Sequence, residues 1–264
     1  MKIPFTKCSG CGNDFIIVDN REGLLSKIDI PYFAKLVCRR RDSIGADGVL
    51  IMEKDREFPF LMRYFNKDGS RAEFCGNGAR CIAFYSYKNN ITPNSFSFRS
   101  EAGIHRALIK DKVSISLPSP QEIRLNLEPK EFAYPIHYIK VLVPHSVVFS
   151  KGEDILDLGK RIRFHPKFQP EGTNVDFVEL AGPSILKIRT YERGVEGETP
   201  SCGTGAVASS IIAFLLKRAT PPVRCKFKGG ELIVRFSQDL GEVWLEGDTE
   251  LTFKGEVEYK EDIP

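Results

Sequence analysis

The sequence lacks the features that would indicate a membrane or a nucleic acid as a partner. Its longest unbroken apolar stretch covers residues 211–216, far too short to span a bilayer. The net charge is only +3, and acidic and basic residues are interspersed without a long basic block. The first residues contain no apolar core of the kind found in signal peptides. We therefore expect a cytoplasmic protein that binds neither membranes nor nucleic acid.

Cysteine is sparse, and its pattern argues against a disulfide framework. The chain has seven cysteines, an odd number, and no sign of export, which favours free thiols. Since buried cysteines are common as small hydrophobes, we expect Cys38, Cys81 and Cys225 to be core residues. Cys8 and Cys11 have CxxC spacing, but neither a second CxxC nor a paired histidine follows. The sequence therefore predicts no metal site.

The remaining two cysteines, Cys75 and Cys202, open nearly identical strings. CGNGA at 75–79 and CGTGA at 202–206 each lead through a glycine-rich turn into an apolar helical run. A cysteine at a helix N-terminus is often a thiolate near neutral pH, because the dipole and the N–H groups stabilise the negative charge. Two such thiols predict an acid/base pair that faces one substrate from opposite sides.

The similarity extends beyond these strings and indicates a duplicated half. Gly45 lies 30 residues before Cys75 (75 − 45), and Gly172 lies 30 before Cys202 (202 − 172). Residues 61–66 also resemble residues 187–192, and both halves close on an alternating strand pattern. The proline-rich segment 117–120 is the natural joint. We therefore predict domains at 1–118 and 119–264, with the last strand, near 253–264, as a candidate to pack back onto the first.

Short strands dominate the predicted elements, and the helices are few. The strands are predicted at 15–18, 49–52, 60–65, 95–98, 112–117, 139–143, 147–149, 175–180, 185–191, 232–236 and 242–246, and the helices at 32–40, 78–88, 154–163 and 205–218. The last helix is apolar on nearly all sides, so it should be buried. Among so many short strands, it should lie inside a curved sheet or barrel.

A pair of thiols can invert an amino-acid α-carbon. A thiolate on one face takes the Cα proton, and a thiol on the other face returns one. The helix N-termini can hold the substrate α-carboxylate through backbone N–H groups. The glycines at 76, 78, 203 and 205 let that backbone approach the substrate closely.

The chain resembles the diaminopimelate epimerase family nearly from end to end. The motifs that carry the resemblance are GNDF at 12–15, FNKDGS at 65–70, AEFCGNGARC at 72–81, GTNV at 172–175, YERGV at 191–195 and CGTGA at 202–206. The string around Cys75 is specific, whereas the shorter CGTG turn also occurs in related isomerases such as proline racemases.

The resemblance implies an α+β fold of two similar domains related by pseudo-two-fold symmetry. Each domain would be a mostly antiparallel β-barrel around a central helix, with the site in the cleft between them. It also implies a cofactor-independent interconversion of LL- and meso-diaminopimelate, without pyridoxal phosphate or metal. That reaction supplies lysine and peptidoglycan precursors. Family members are commonly homodimers.

The resemblance further implies roles for individual residues. Cys75 and Cys202 match the two bases, and His145 and Glu192 match positions thought to tune the thiols. The substrate-binding positions are matched by Asn13, Asn66, Asn174, Glu192 and Arg193, and the carboxylate-holding turns by Gly76, Asn77, Gly203 and Thr204.

The sequence departs from the family pattern at several positions. Many members have Gly-Asn-Pro-His where this chain has LVPH at 142–145, so Val143 replaces a substrate-holding asparagine. Some members have Gln where Gly48 stands, and Glu196 is an extra residue in the loop that leads to Pro200 and Cys202. These departures leave two alternatives open. One is a racemase of another amino acid, such as glutamate, and the other is a noncatalytic binding or redox protein on the same fold.

Overall fold

The described residues of the protein, 1–128, 131–150 and 154–259 of a computed structural model, form two compact units. The first unit contains Met1–Ile115 and the chain from Asp248 onward, and the second contains Ser116–Gly247. Within the described residues, no helix combines the length and the apolar character needed to cross a membrane.

The first unit is built from nine strands and two helices. In chain order these are β1 (Lys2–Gly10), β2 (Asn13–Asp19), α1 (Ile30–Val37), β3 (Gly48–Glu53), β4 (Leu61–Asn66), β5 (Arg71–Ala72), α2 (Gly76–Lys88), β6 (Ser95–Ser100), β7 (Gly103–Ile109), β8 (Val113–Leu117), within which this unit ends, and the final strand β18 (Glu250–Glu258).

The second unit has a matching set of elements. In chain order these are β9 (Gln121–Leu127), β10 (Ile136–Val141), β11 (Val143–Val148), α3 (Ile155–Arg163), a short 3-10 helix (Pro166–Phe168), β12 (Asn174–Gly182), β13 (Ile185–Glu192), β14 (Gly197–Thr199), α4 (Gly203–Leu215), β15 (Val223–Phe227), β16 (Gly230–Phe236) and β17 (Val243–Gly247).

The two units have the same strand order. In the first unit the order is β18-β1-β2-β3-β4-β6-β7-β8, and β5 pairs beside β4. In the second unit it is β9-β10-β11-β12-β13-β15-β16-β17, and β14 pairs beside β13. Each sheet is antiparallel except at two pairs, β2 with β3 and β4 with β6, or β11 with β12 and β13 with β15.

The helix that follows each of the two similar strings lies inside its sheet. Parallel neighbours need a crossover connection, and α2 and α4 provide it between β4 and β6 and between β13 and β15. Helix α2 contacts β18, β1, β2, β3, β4 and β7, and α4 contacts β10 to β13 and β15 to β17. Because each helix contacts strands toward both ends of its sheet, the sheet curves around it.

The other helix of each unit covers the outside of its sheet. In α1, Phe33, Ala34 and Val37 join the core cluster that contains Ile16 and Val49. In α3, Ile155 and Ile162 join the cluster with Val148, Val175 and Phe177. Each sheet therefore has apolar side chains on both faces. This explains why residues 48–52 of β3 and 174–178 of β12 are buried without interruption.

The predicted fold class is confirmed, and the burial of the apolar helix at 205–218 is confirmed in α4. One strand prediction is wrong. Residues 139–143 are not a single strand, because Leu142 has φ 62° and turns β10 back into β11. The sequence predicts no strand at β1, β5, β7, β9, β14 or β15, and it predicts β18 only from about residue 253. In β9 the reason is that its side chains are largely exposed and polar, without an apolar alternation. Residues 260–264, the end of the predicted last strand, lie outside the described residues.

Candidate active site

Cys75 is the N-cap of α2, as its sequence context predicts. Its backbone is extended, with φ −139° and ψ 117°, and the Gly78 N–H donates to its sulfur at 3.5 Å. The thiol is half-buried. The sulfur thus lies at the positive end of a 13-residue helix, a position that favours its thiolate form.

A chain of hydrogen bonds connects the first turn of α2 to Asn13. Arg80 Nη2 donates to Asn77 Oδ1 at 2.8 Å, and Asn77 Nδ2 donates to Asn13 Oδ1 at 2.7 Å. Asn13 Nδ2 then donates to Asp47 Oδ2 at 2.9 Å. A cation at one end and a carboxylate at the other fix the orientation of both amides. Arg40 Nη2 holds the other oxygen of Asp47 at 2.7 Å.

Arg80 has an unusual environment for a cation. It is fully buried, its Nη1 lies 3.4 Å from the Gly76 carbonyl oxygen, and its Nε has no hydrogen-bond partner in the described part of the chain. No carboxylate of the described residues lies within ion-pair distance of it. Burial lowers the pKa of Arg80, and negative charge on Cys81, Cys11 and Cys75 acts in the opposite direction. A thiolate at Cys75 and the Arg80 cation therefore stabilise one another.

Asp14, next to Asn13, belongs to a second cluster of charged residues. This cluster lies at the start of β2, which pairs antiparallel with β1. Burial raises the pKa of Asp14, but hydrogen bonds and charges from Arg40 and Lys7 outweigh burial and lower it to about 2. Lys7 Nζ also donates to the Gly45 carbonyl oxygen. This network holds the start of β2, and with it Asn13, in place.

Asn66 ends β4, where its N–H donates to the Ser70 carbonyl oxygen at 2.8 Å and its Nδ2 donates to Ser70 Oγ at 3.0 Å. In the strand register it stands opposite Gly48 of β3. A Cβ at Gly48 would overlap the ring of Tyr64 and the Phe65 carbonyl oxygen. The tyrosine ring thus occupies the space that a larger residue at position 48 would need.

Cys202 caps α4 in the same conformation, with φ −133° and ψ 115°, and its sulfur accepts from the Gly205 N–H at 3.4 Å. Its acidity, however, differs from the expectation for a helix N-terminus. Burial is the main cause that raises the pKa of the Cys202 thiol well above its usual value, and the charges of Glu192 and Asp176 raise it further. Hydrogen bonds with Thr204 and Gly205 lower it, but by less. Cys202 is therefore held as a neutral thiol.

A polar cluster that is fully buried except at the half-buried Thr204 adjoins Cys202. His145 Nδ1 is 2.7 Å from Asp176 Oδ2, and both side chains have no exposed surface. His145 Nε2 is 2.9 Å from Thr204 Oγ1, which lies 3.5 Å from Cys202 Sγ. Thr190 Oγ1 donates to the second oxygen of Asp176 at 2.7 Å. Two side chains, His145 and Thr204, thus connect the buried Asp176 carboxylate to the thiol.

Asn174 and Arg193 meet beside this cluster. The Arg193 N–H donates to Asn174 Oδ1 at 2.8 Å, and Asn174 Nδ2 donates to the Pro144 carbonyl oxygen at 3.2 Å. The Arg193 side chain donates to the Glu171 carbonyl oxygen at 2.8 Å. Glu192 ends β13, and its charge acts on Cys202.

The strand registers show which positions of the two units are equivalent. Phe15 stands beside Gly48, and His145 stands beside Asn174. Counting two residues back along β2 and β11 makes Asn13 and Val143 equivalent, since each begins its strand. The sequence alignment that pairs Gly45 with Gly172 would also pair Asp47 with Asn174. The strand registers instead pair Gly48 with Asn174, so the two alignments differ by one residue in these strands.

The extra residue Glu196 is accommodated by a left-handed turn, with φ 54°. Its carboxylate accepts from Arg163 Nε at 3.2 Å and from the Gly194 N–H at 3.0 Å. The insertion is thus tied to α3, on the outside of the sheet.

Within each unit, the structure brings together most of the predicted site residues. Asn13, Gly76 and Asn77 gather around the start of α2 with Cys75, and His145, Asn174, Gly203 and Thr204 gather around the start of α4 with Cys202. Sequence reasoning missed Asp176 and Arg80 as parts of the site. The available signal was a charged residue within the apolar stretch of a predicted strand or helix.

Comparison with solved structures gives the class of fold. The chain is similar to the phenazine biosynthesis protein of the PhzF family from Bacillus anthracis, with a TM-score of 0.74 and 14% identity over 98% of this chain and 100% of that one. At this identity the likeness concerns the fold alone.

Comparison of sequences gives the family. The family model described as diaminopimelate epimerase matches residues 5–117 and 138–251. The chain is 41% identical to the diaminopimelate epimerase of Hydrogenobaculum sp. (strain Y04AAS1), covering 97% of this chain and 98% of the relative. It is 37% identical to that of Chlorobaculum tepidum, covering 94% and 99%. The chain belongs to the diaminopimelate epimerase family.

Proposed function

We propose that this protein is a cofactor-independent epimerase that converts LL-diaminopimelate to meso-diaminopimelate. The observation that carries the proposal is the pair of cysteines, each of which caps the central helix of one of two units with the same topology. Membership of the diaminopimelate epimerase family supports the substrate.

The two thiols have opposite roles in each direction of the reaction. In one direction the Cys75 thiolate takes the Cα proton and the Cys202 thiol supplies a proton to the other face of the same carbon, and in the reverse direction the roles exchange. The charges around the two thiols support a resting state in which Cys75 is the thiolate and Cys202 is the neutral thiol. Cys75 has the buried cation Arg80 near it, whereas Cys202 has Asp176 and Glu192.

The helix N-termini are proposed to hold the substrate α-carboxylate. Gly76 and Asn77 are the first two residues of α2, and Gly203 and Thr204 are the first two of α4. The early N–H groups of a helix have no carbonyl partner within the helix and attract anions. A carboxylate held there also lies near the capping thiol, which is the position that Cα chemistry requires.

Asn13, Asn66, Asn174, Glu192 and Arg193 are proposed to bind the remaining polar groups of the substrate. The hydrogen bond from Asn77 occupies Asn13 Oδ1, and Asp47 accepts one of the two Nδ2 hydrogens, so the second N–H is the group proposed to meet a ligand. An N–H donor suits a carboxylate, and diaminopimelate has one at each end.

The test is to incubate the reduced protein with LL-diaminopimelate and, separately, with L-glutamate, and to follow the stereoisomers by chiral chromatography. Inversion of diaminopimelate alone would support the proposal. Inversion of glutamate alone would instead support the racemase alternative. No inversion of either would contradict the proposed activity and favour a binding or redox role.

Val143 provides a prediction about substrate affinity. Because Val143 stands where the first unit has Asn13, Val143→Asn adds a side-chain amide at the equivalent strand start. One new hydrogen bond to a charged group is worth about 1.5–3 kcal/mol, so we expect the KM for diaminopimelate to fall about tenfold to hundredfold. The variant Val143→Leu is the apolar control. An unchanged KM in Val143→Asn would show that position 143 does not face the substrate.

The location, the oligomeric state and the metabolic role of the protein are also proposals. From the family resemblance we infer a cytoplasmic homodimer that supplies precursors of lysine and peptidoglycan. Sedimentation equilibrium of the purified protein tests the oligomeric state.

A further inference from the structure

The polar cluster behind Cys202 has no counterpart behind Cys75. From the strand registers, His145 is equivalent to Phe15, and Asp176, two residues after Asn174, is equivalent to Leu50, two residues after Gly48. All four side chains are almost fully buried. Burying a carboxylate and an imidazole is unfavourable unless both are paired, and the first unit forms the same topology with apolar side chains there. The fold itself therefore does not require the pair.

The neighbours of His145 fix which of its nitrogens is protonated. The Arg193 N–H binds Asn174 Oδ1, so the Asn174 Nδ2 group is the one that faces His145 Nε2, at 3.4 Å. An amide N–H can only donate, so Nε2 is an acceptor in the resting state. The proton of the neutral ring then lies on Nδ1 and is donated to Asp176 Oδ2 at 2.7 Å.

With Nε2 as the acceptor, the Thr204 hydroxyl is set between a base and the thiol. Its proton points to His145 Nε2 at 2.9 Å, and its oxygen accepts from the Cys202 S–H, 3.5 Å away. Every donor in the series Cys202, Thr204, His145 therefore points toward Asp176. Such a series can pass a proton by shifting each hydrogen along its bond.

We propose that the Thr204 hydroxyl relays the proton of Cys202 to His145, which Asp176 holds ready as the acceptor. Cys202 Sγ gives its proton to Thr204 Oγ1 as Thr204 gives its own proton to His145 Nε2. The products are a Cys202 thiolate and a His145 imidazolium paired with Asp176. Asp176 is thus a positioning residue, since it acts on Cys202 only through His145.

The charge balance explains why this route suits a buried thiol. Before transfer the cluster carries one negative charge, on Asp176, and afterwards it carries two negative charges and one positive, again a net charge of minus one. No charge enters or leaves the buried region. If the proton were lost to solvent instead, Asp176 and the Cys202 thiolate would carry two negative charges without a compensating cation. The charge of Glu192, which also acts on Cys202, would add to them.

The relay rests on the proposed function, because an epimerase that works in both directions needs Cys202 as a thiolate in one of them. The groups that act on Cys202 come from four elements of its unit: His145 of β11, Asp176 of β12, Glu192 of β13, and Thr204 and Gly205 of α4. Of these, only Thr204 contacts both the thiol and the histidine, so it is the position to change.

The test compares Thr204→Val, which removes the hydroxyl while keeping the shape, with Thr204→Ser, which keeps it. The rate at which iodoacetamide alkylates Cys202 is measured by peptide mass spectrometry across pH, and Cys75 in the same sample is the internal control. We expect alkylation of Cys202 at about pH 8 to fall tenfold to hundredfold in Thr204→Val, the effect of losing one hydrogen bond to a charged group. Its pH profile should move to higher pH, whereas Thr204→Ser should resemble the parent protein.

The Cys75 profile should stay unchanged in both variants. Equal Cys202 profiles in Thr204→Val, Thr204→Ser and the parent protein would overturn the relay, whatever the epimerase activity. The alkylation needs no substrate. A hydroxyl-dependent profile in a protein that inverts no amino acid would therefore support the relay and reject the proposed function.

Discussion

Replacing either Cys75 or Cys202 with alanine is expected to lower the rate of inversion by at least about 10³-fold. General acid–base catalysis by one group contributes about 10²–10⁴-fold, and a two-base reaction cannot complete inversion with one base missing. Each alanine variant should keep its fold, because each thiol lies at a helix start and only its sulfur is removed. The measurement is the initial rate of formation of meso-diaminopimelate, together with circular dichroism of each variant.

The matched control is Cys38→Ala, at the C-terminal end of α1. Burial raises the pKa of the Cys38 thiol to about 12, so this cysteine is inert at neutral pH. We expect its variant to keep nearly the full rate. A Cys75→Ala or Cys202→Ala variant that retained a tenth of the parent rate would remove that thiol from the mechanism.

Gly205→Ala is expected to be far more damaging than Gly78→Ala, although the two glycines hold equivalent helix positions. A Cβ at Gly205 would overlap Asp176 Oδ1 and lie 3.1 Å from Asp176 Cγ and 3.2 Å from Cys202 Cβ. The hydrogen bond from Thr190 and the contact with His145 fix that carboxylate, so it cannot move without breaking them. We expect Gly205→Ala to lower the free energy of unfolding by about 1–3 kcal/mol and to lower activity strongly.

At Gly78 the added Cβ would lie 2.9 Å from Leu50 Cδ2, the end of a side chain that can rotate. The gain in helix propensity, about 1 kcal/mol, partly offsets the remaining strain. Urea unfolding of both variants measures the difference, and Gly197→Ala, where a Cβ meets nothing within 4 Å, is the control. Equal stability of the Gly205→Ala and Gly78→Ala variants would show that Asp176 is not fixed in the cluster.

The two thiols and their helices could be predicted from the sequence because the signal is local. A cysteine followed by alternating glycines, and then by a run of apolar residues, specifies both the cap and the burial of the helix. The duplication strengthened this prediction, since the same offsets recur around Cys75 and Cys202. The division at residues 118 and 119 stays a prediction.

What the sequence could not provide is the pairing of strands that are distant along the chain. Asp176 and His145 are separated by 31 residues, and only the parallel register of β11 and β12 brings them together. The same holds for Asn13 and Asn77, 64 residues apart. The raised pKa of the Cys202 thiol could not be predicted for this reason, because a helix N-terminus is visible in the sequence whereas burial beside two carboxylates is not.

The most direct test of the two-thiol account is to run the reaction in D₂O with LL-diaminopimelate that carries protium at Cα, and to stop it at low conversion. If one thiol removes the proton and the other supplies a new one, the meso product should contain deuterium at the inverted carbon, while the remaining substrate keeps its protium. Equal deuterium in the remaining substrate and the product, or a product that keeps protium, would indicate a single base and contradict the account.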